Sequence, residues 1–291
     1  MKLKGSVPAA FVLLLPALIC LAVFRLYPIA LAAWGSFCQE SFEEAGRIIF
    51  VGLQNYADVL GDPLFWKSLW VTLKLNAVIN PIQVVLALLL TVMVNQRFRG
   101  IAFYRLLLFV PIGVSLPIAC VIWRLMLDPQ SGLINSLLGQ IGIDKQRFLI
   151  DEHQALWSVM AIATWKGVSF WMIFLWAGLQ AIPSELYEAA RLDGATAATR
   201  FFYITLPLLK RTLLFVLVTD TSVNFLLFVP MFLLTRGGPS YSTNVLMYES
   251  YRSGFIYGEM GRALAIMMVL ILLVSITVVI QFYCLRQKES S

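Results

Sequence analysis

Six apolar segments, each long enough to cross a lipid bilayer, constrain this sequence more than any other feature. A helix needs about 20 residues to cross about 30 Å of hydrocarbon. The segments that meet this requirement are 8–34, 69–94, 101–127, 155–179, 212–234 and 263–285. Helices are expected, because a helix satisfies its own backbone hydrogen bonds in lipid. The sequence therefore predicts an all-α, polytopic membrane protein with six transmembrane helices in one domain over residues 1–291.

The composition supports lipid as the solvent for these segments. Hydrophobic residues make up 60% of the chain and charged residues only 13%, whereas about 25% of the residues in an average soluble domain are charged. A single soluble core could not bury so much apolar surface. The net charge of +6 does not require a nucleic-acid partner, because basic residues between apolar segments suit the anionic inner face of a bilayer.

Cysteine and histidine usage gives no sign of metal or catalytic chemistry. The cysteines Cys20, Cys38, Cys120 and Cys284 show no paired spacing, so neither a disulfide framework nor a zinc site is suggested. His153 is the only histidine and lies in a predicted loop, where a solvated side chain is expected. The sequence therefore predicts no catalytic residue and no metal site.

Lysine and arginine residues near the segment ends indicate how the chain crosses the membrane, since cytoplasmic loops carry an excess of them. If the N-terminus is cytoplasmic, the larger share falls on the inner side. Those residues are Lys2, Lys4, Arg97, Arg99, Arg105, Arg191, Arg200, Lys210, Arg211, Arg286 and Lys288. Both termini are therefore predicted to be cytoplasmic, and loops 38–67, 128–154 and 235–262 are predicted to form the outer surface.

The inner loop after the fourth segment carries the most specific signal in the chain. Residues 183–207 read PSELYEAARLDGATAATRFFYITLP. Pro183 and Ser184 fit the start of a helix with Ser184 as its N-cap, Gly194 interrupts that helix, and a second short helix is predicted from about Thr196 to Ile204. Small side chains such as Ala190 would let another protein approach the backbone of this loop closely.

This loop resembles the EAA loop of permease subunits of binding-protein-dependent ABC importers. The resemblance lies in Glu188-Ala189-Ala190, in Gly194 four residues later, and in Ile204-Thr205-Leu206-Pro207. It implies a transmembrane permease with a coupling helix-turn-helix between its fourth and fifth helices, in contact with a separate ATPase. The residues implied to couple are Glu188, Ala189, Ala190, Asp193, Gly194, Ile204, Leu206 and Pro207.

Two outer segments resemble those of carbohydrate-type permeases, near the maltose and glycerol-3-phosphate permeases. Residues 50–56 read FVGLQNY, and residues 234–239 read LTRGGP. The resemblance implies ATP-driven import, by alternating access, of a sugar or sugar-like solute such as an oligosaccharide, polyol or glycoside. It also implies that Gly237, Gly238 and Pro239 face a solute-binding protein.

The remainder of such a complex follows from the same resemblance. It implies a second, homologous permease, an ATPase dimer that binds ATP and Mg²⁺, and an extracytoplasmic solute-binding protein. The chain contains no G-x-x-x-x-G-K-S/T phosphate loop, so ATP hydrolysis is expected on another polypeptide. This chain is therefore predicted to be a non-enzymatic subunit without a cofactor, surrounded by the lipid of a bacterial-type inner membrane.

Polar residues within the predicted spans are candidates for solute binding, because a bilayer makes them costly. Asp220 and Asn224 lie one turn apart on the fifth span and therefore share a face, and Ser115 lies between two prolines where freed carbonyls could line a cavity. The residues predicted to bind solute are Asp220, Asn224, Gly167, Phe170, Lys166, Ser115 and Trp165. Asp220, Asn224, Gly167 and Phe170 also fall close to solute positions of maltose-type relatives by resemblance.

Structural roles for the same residues remain open. Asp220 and Lys166 could form a buried ion pair, and Asn224 could bridge helices. In the second span, Asn76, Asn80 and Gln83 could bond to neighbouring helices or to a second permease.

Other functions also remain open. An ion-coupled secondary transporter would use Asp220 as its ion site, although the inverted repeats usual in such folds are not visible. A membrane-embedded enzyme would need a cluster of catalytic groups, and the scattered carboxylates offer none. The same architecture could instead import an amino acid, a polyamine or glycerol phosphate, and a phosphate ester would favour several basic residues where only Lys166 is well placed.

Overall fold

The computed structural model describes residues 6–40, 47–96 and 99–286, and helices dominate it, as predicted. The sequence did not predict a small antiparallel sheet, in which β1 Cys38–Glu40 pairs with β2 Ile48–Phe50. Some residues used to predict the orientation lie outside the described part of the chain, namely Lys2, Lys4, Arg97 and Lys288. The cytoplasmic placement of both termini therefore stays a prediction.

The α-helices follow one another along the chain with short connections. In order, they are α1 Ser6–Leu21, α2 Tyr27–Gly35, α3 Gln54–Gly61, α4 Pro63–Val94, α5 Ile101–Gly113, α6 Leu116–Met126, α7 Leu133–Gln140, α8 Ala155–Gln180, α9 Ser184–Leu192, α10 Ala197–Arg200, α11 Leu206–Leu208, α12 Lys210–Phe225, α13 Leu246–Tyr251 and α14 Met260–Arg286. Single π-helical turns cover Ala22–Leu26, Phe201–Thr205, Met231–Thr235 and Arg252–Ile256, and a 3-10 turn covers Phe148–Ile150.

Within the described residues, four helices are long and apolar enough to cross a membrane. They are Leu13–Gly35, Pro63–Val94, Ala155–Gln180 and Met260–Cys284. Two bent pairs also qualify when each is taken together, namely Ile101–Gly113 with Leu116–Met126 and Ala197–Leu208 with Lys210–Phe225. The total reaches six if each bent pair forms one span, so the predicted count of six stays a prediction.

The third predicted span, 101–127, is not one straight helix, because α5 and α6 meet at an angle of 106°. Pro117 explains the break. A proline ring excludes the carbonyl of the residue four positions earlier, here Gly113, and proline lacks the N–H that would bond to it. Ser115 lies in the break with φ −64° and ψ 149°. The break leaves several carbonyl oxygens at the end of α5 without helical partners.

The fifth predicted span, 212–234, is also interrupted. α12 ends at Phe225, residues 226–228 are not helical, and the chain resumes as the turn Met231–Thr235. Pro230 accounts for this interruption in the same way, because its ring excludes the carbonyl of the residue four positions earlier. The prediction of a continuous helix over this range is therefore wrong at its C-terminal end.

Contacts group the chain into two compact units. One comprises Met1–Phe65 with Glu249–Ile271, and the other comprises Trp66–Tyr248 with Leu272–Ser291. The single domain over residues 1–291 stays a prediction.

The first unit contains polar contacts that fix its loops. The Asn55 side chain donates hydrogen bonds to the carbonyl oxygens of Ser36 and Cys38, both at 2.9 Å. These bonds attach α3 to the segment that follows α2. Arg262 near the start of α14 forms an ion pair with Asp62.

The second unit packs α4, α8 and α12 around a buried apolar cluster. Its members are Ala87, Val94, Val168, Trp171, Met172, Leu175 and Val216. Burial of such side chains stabilises helix contacts through close packing, since lipid offers no hydrophobic driving force between helices. The same helices bring a second, polar set of side chains together beside this cluster.

Candidate functional site

A buried polar network connects α4, α8 and α12 in the second unit. At its centre, Asp220 is only 1% exposed, and its Oδ1 accepts hydrogen bonds from Trp171 Nε1 at 2.6 Å and Asn224 Nδ2 at 3.0 Å. Asn224 Nδ2 also lies 2.8 Å from Asn80 Oδ1 and 3.1 Å from Gln83 Oε1. Asp220 and Asn224 thus share one face of α12, as their spacing predicted.

The network continues from α4 to α14. Asn80 Nδ2 donates to Thr221 Oγ1 at 3.1 Å, and Gln281 Nε2 on α14 donates to the same oxygen at 2.8 Å. Gln83 Nε2 donates to the carbonyl oxygen of Ala163 at 3.1 Å. The expectation that polar side chains of the second span bond to neighbouring helices is therefore confirmed for Asn80 and Gln83.

One oxygen of the Asp220 carboxylate has no hydrogen-bond partner in the described part of the chain. This atom, Oδ2, is buried, while Oδ1 receives two donors. A buried acceptor without a donor costs about 1–3 kcal/mol. Oδ2 is therefore well suited to accept a hydrogen bond from a hydroxyl group that enters the network.

Gly167 and Phe170 lie on α8 beside the network. A Cβ atom at Gly167 would lie 2.7–2.8 Å from the side-chain amide of Gln83, so only glycine lets α8 approach that side chain. Phe170 is 42% exposed, and its ring meets that of Trp171 edge-on, with 4.9 Å between centroids. The structure thus places both predicted α8 residues next to the α12 pair. Their contact with solute stays a prediction.

Lys166 interacts with the break between α5 and α6. Its ammonium group donates hydrogen bonds to the carbonyl oxygens of Pro111, Ile112 and Val114, the second at 3.0 Å. A lysine ammonium has three N–H donors, and these carbonyls engage all of them. The ion pair with Asp220 that the sequence left open is not formed. Solute binding by Lys166 stays a prediction, and it requires release of these bonds.

The remaining candidates also lie toward α6. Ser115 is exposed in the break, and the Trp165 ring meets the Trp123 ring edge-on, with 5.6 Å between centroids. The seven predicted solute residues therefore form two groups. One surrounds Asp220, and the other follows the bend between α5 and α6.

Gln281 is a member of the network that the sequence analysis did not identify. It lies on α14 in a strongly apolar segment, where a polar side chain is costly. A polar residue in so apolar a segment could therefore have been identified as a candidate for bonding to another helix. Its partner Thr221 lies 60 residues earlier in the chain, so the pairing depends on tertiary packing and not on local pattern.

The predicted coupling loop forms short helices on both sides of Gly194. α9 spans Ser184–Leu192, and Gly194 has φ +77°, a left-handed conformation that favours glycine. α10 begins after Thr196, whose Oγ1 accepts a hydrogen bond from the backbone N–H of Thr199 at 3.2 Å. The two short helices predicted on either side of Gly194 are therefore present. Ser184 is the first residue of α9 and makes no capping bond, so its predicted role as N-cap is wrong, and α10 continues beyond Arg200 as a π-helical turn. The place of the loop between the fourth and fifth spans stays a prediction.

Most of this loop is exposed. Glu188, Ala189, Asp193, Gly194 and Pro207 are exposed, and Ala190, Ile204 and Leu206 are half-buried. Leu192 is 89% exposed. One internal hydrogen bond, 3.0 Å between Tyr187 OH and Thr205 Oγ1, connects α9 to the turn after α10. The coupling role of these residues stays a prediction.

A groove of about 970 Å³ lies between this loop and the ends of α4 and α8. Gln180 at the end of α8 donates to Asn95 Oδ1 at 2.7 Å. This bond joins two helix ends that were both predicted to be cytoplasmic. The coupling loop, the end of α4 and the end of α8 therefore lie on the same side of the second unit.

The Gly237-Gly238-Pro239 segment is a compact turn. Gly237 has φ +79°, and a Cβ atom there would lie 2.9 Å from the Tyr248 ring. Thr243 Oγ1 donates to the carbonyl oxygen of Gly238 at 2.9 Å. Gly237 is buried, while Gly238 and Pro239 are half-buried. Their contact with a solute-binding protein stays a prediction.

The predicted outer loop 128–154 has internal structure of its own. Asn135 Nδ2 donates to the carbonyl oxygen of Gln146 at 2.8 Å. Hydrogen bonds from the backbone N–H and the hydroxyl of Ser131 hold the pKa of Asp128 below its usual range. A loop fixed in this way offers a defined surface.

The chain has clear relatives among known proteins. Residues 77–286 match the family described as "Binding-protein-dependent transport system inner membrane component". The sn-glycerol-3-phosphate transport system permease protein UgpA of Brucella suis is 36% identical over 279 residues, covering 96% of this chain and 94% of that protein. The protein of the same name from Agrobacterium fabrum is 35% identical over 280 residues, with the same coverage.

Solved structures share the fold. A bacterial ABC transporter involved in the import of the acidic polysaccharide alginate matches with a TM-score of 0.80 and 21% identity, over 96% of this chain and 95% of that one. The bacterial alginate ABC transporter in complex with an alginate pentasaccharide-bound periplasmic protein matches with a TM-score of 0.81 and 21% identity, over 97% and 96%. Because the family match covers most of the chain, this protein belongs to the binding-protein-dependent transport system inner membrane components and is a multi-pass ABC transporter permease.

Proposed function

We propose that this chain forms half of a translocation path that imports a sugar or sugar-like polyhydroxy solute by alternating access. The observation that carries this proposal is the similarity, over 96% of the chain, to permease proteins of sn-glycerol-3-phosphate transport systems. The fold shared with a transporter that imports alginate supports the same class of solute. The sn-glycerol-3-phosphate for which those relatives are named is itself a small polyhydroxy compound, so they support this class of solute and not the amino-acid or polyamine alternatives.

The Asp220 network is the proposed solute site. A solute hydroxyl donates a hydrogen bond to Asp220 Oδ2, which is buried without a partner in the described residues. The half-exposed ring of Phe170 covers the apolar face of the solute. Asn224 holds the carboxylate in place from the next turn of α12.

The remaining parts of the proposal concern the complex. A second, homologous permease completes the path, and ATP with Mg²⁺ binds to a separate ATPase dimer that contacts α9 and the Gly194 turn. Both termini face the cytoplasm. A solute-binding protein docks on the opposite side, on loops that include the Gly237-Gly238-Pro239 turn. The exposed apolar surface at Leu192 supports contact with another protein, since water does not favour it.

Isolation of the tagged chain in mild detergent, followed by mass spectrometry and reconstitution in vesicles, tests this function. The expected result is an ATPase dimer and a second permease, with solute uptake that requires ATP and the binding protein. A non-hydrolysable ATP analogue is the control and should abolish uptake. A chain that purifies alone and moves solute without ATP would overturn the proposal.

Asp220→Asn tests the solute site. The variant keeps an oxygen acceptor for Trp171 and Asn224, so its thermal stability should match that of the wild type. Loss of the charged acceptor should raise the KM for solute about tenfold, the size expected for a charge-assisted hydrogen bond. An unchanged KM would place the solute elsewhere.

A further inference from the structure

A second cavity lies in the same unit, with lining residues that differ from those of the Asp220 network. Its volume is about 310 Å³, and it is bordered by α4, by the residues just before and at the start of α8, and by the loop that follows the Gly237-Gly238-Pro239 turn. Ligand cavities range from about 300 to 1,000 Å³. This cavity therefore fits a solute no larger than a monosaccharide.

Lys74 gives the cavity a positive charge. Its Nζ lies 5.7 Å from the centroid of the Trp157 ring, and it forms no ion pair or hydrogen bond with any residue in the described ranges. The cavity is also bordered by Glu152 and His153, whose exposed side chains approach each other to 3.5 Å, and Glu152 forms no ion pair with Lys74 in the described ranges. The ammonium group of Lys74 is thus available to an anion, and an indole beside it lowers the cost of holding the cation there.

Ser242 adds a hydroxyl group that needs a partner. Its Oγ atom is buried and has no hydrogen bond among the residues that the structure describes. Its backbone N–H donates to the carbonyl oxygen of Pro239 at 2.8 Å, which fixes the residue relative to the preceding turn. A hydroxyl can both donate and accept, so an occupant with a hydroxyl group would satisfy it.

Two indole rings provide apolar surface at the same cavity. Trp70 is 67% exposed and Trp157 is 51% exposed. Indoles combine an apolar face with an N–H donor, and their faces suit the C–H surface of a polyol chain or sugar ring. A cation, a free hydroxyl and two aromatic faces together favour a ligand that carries a negative charge, hydroxyl groups and carbon-bound hydrogens.

We propose that this cavity is a second solute subsite, which binds the anionic group of a small polyhydroxy compound such as a phosphate ester or a sugar acid. Lys74 contacts the anion, Ser242 contacts a hydroxyl, and Trp157 covers the carbon skeleton. Loops 128–154 and 235–262 both contribute residues to the cavity, and both were predicted to be on the outer side. The position of the cavity on the outer side of the membrane therefore rests on the proposed function. A solute released by the binding protein would meet this subsite before it reaches Asp220.

Equilibrium dialysis with radiolabelled sn-glycerol-3-phosphate tests the subsite. The purified complex is held in nanodiscs of phosphatidylcholine, and Asp220→Asn is included in every variant to weaken the other site. Lys74→Gln should weaken binding about tenfold, Ser242→Ala should weaken it less, and Lys74→Arg should retain it. Lys145→Gln removes the same charge from the outer loop outside the cavity and should leave binding unchanged. Unlabelled glycerol should not compete, because it lacks the anion.

Two outcomes would overturn this inference. One is binding that Lys74→Gln leaves unchanged. The other is loss of sn-glycerol-3-phosphate binding when a few phosphatidylglycerol molecules per nanodisc are added to the phosphatidylcholine while inorganic phosphate at the same charge has no effect, which would assign the cavity to an anionic lipid headgroup. Either outcome is separable from a failure of the proposed function, because ATP-dependent uptake by the reconstituted complex is measured independently and does not require this cavity.

Discussion

The Asp220 network and the coupling loop belong to the same compact unit, yet their side chains have opposite surroundings. Asp220 and Asn224 are 1% and 5% exposed, and each is bonded to neighbouring helices. In the loop, Leu192 is 89% exposed, and a Cβ atom at Gly194 would meet no atom within 4 Å. The hydrogen-bond partners of the network lie within this chain, whereas the loop presents an exposed surface on which the proposed ATPase would dock.

This difference separates two kinds of defect. A change in the network that removes hydrogen bonds between helices, as Asn224→Leu does, should lower stability and transport together. A change in the loop removes nothing that the fold requires, so transport should fall while stability remains. Measurements of both quantities on the same variants therefore distinguish the regions.

Asn224→Leu should have the largest effect on stability. The substitution removes the donor that Asp220, Asn80 and Gln83 share. Asp220 Oδ1 keeps the bond from Trp171, but Asn80 Oδ1 and Gln83 Oε1 lose this donor. A buried acceptor left without a donor costs about 1–3 kcal/mol. We expect a midpoint of thermal unfolding several degrees below that of the wild type, measured by size-exclusion chromatography after heating, together with loss of transport. Val223→Leu, at an exposed position one residue earlier on the same helix, should leave the midpoint unchanged.

A wild-type midpoint for Asn224→Leu would mean that the network does not stabilise the unit. The Asp220 network and the coupling loop would then differ in how exposed their side chains are, but not in how much they stabilise the fold. Loss of transport at full stability would instead assign Asn224 mainly to solute contact.

Lys166→Met should have an intermediate effect. It leaves three carbonyl oxygens at the end of α5 without the ammonium group, but Lys166 is only half-buried. Water can therefore replace some of the lost bonds. We expect a smaller decrease in the unfolding midpoint than for Asn224→Leu, and a lower transport rate because the bend between α5 and α6 is no longer held. Trp165→Phe, at the adjacent position, is the control, and identical values for both variants would contradict the role of Lys166.

Local signals predicted part of this structure well. The coupling loop could be predicted because Pro183, Gly194 and Thr196 each act on the backbone within a few residues. The carbonyls freed near Pro117 were also foreseen. Their donor was not, because Lys166 lies about 50 residues away in sequence and its reach depends on how α8 packs against α5.

The interruption of the fifth span was missed for a different reason. Residues 226–234 are all apolar, so the apolar pattern gives no indication that α12 ends at Phe225. Pro230 could have indicated this interruption, because proline has no N–H to bond to the carbonyl oxygen of the residue four positions earlier. Asp220 bonds to Trp171 on α8 and to Asn224 on its own helix, while the other members of the network lie on α4 and α14. No pattern within α12 specifies the partners on the other helices.

Gly194→Val should have the smallest effect on stability and a large effect on coupling. A left-handed backbone costs a residue with a Cβ atom about 1–2 kcal/mol, and the cost is confined to an exposed turn that can relax into open space. The unfolding midpoint should therefore stay at the wild-type value. A changed angle between α9 and α10 should reduce transport about tenfold, within the usual range of coupling energies, as measured by uptake and by solute-stimulated ATPase activity of the reconstituted complex.

Gly194→Asn separates the two causes that such a loss could have. Asparagine tolerates the left-handed conformation but adds a side chain to the same exposed surface. If Asn retains transport and Val does not, the backbone angle at Gly194 sets the coupling. If both variants lose transport at full stability, the partner approaches the backbone too closely for any side chain. A lower unfolding midpoint for either variant would show that the loop supports the fold, and the contrast with the Asp220 network would not hold.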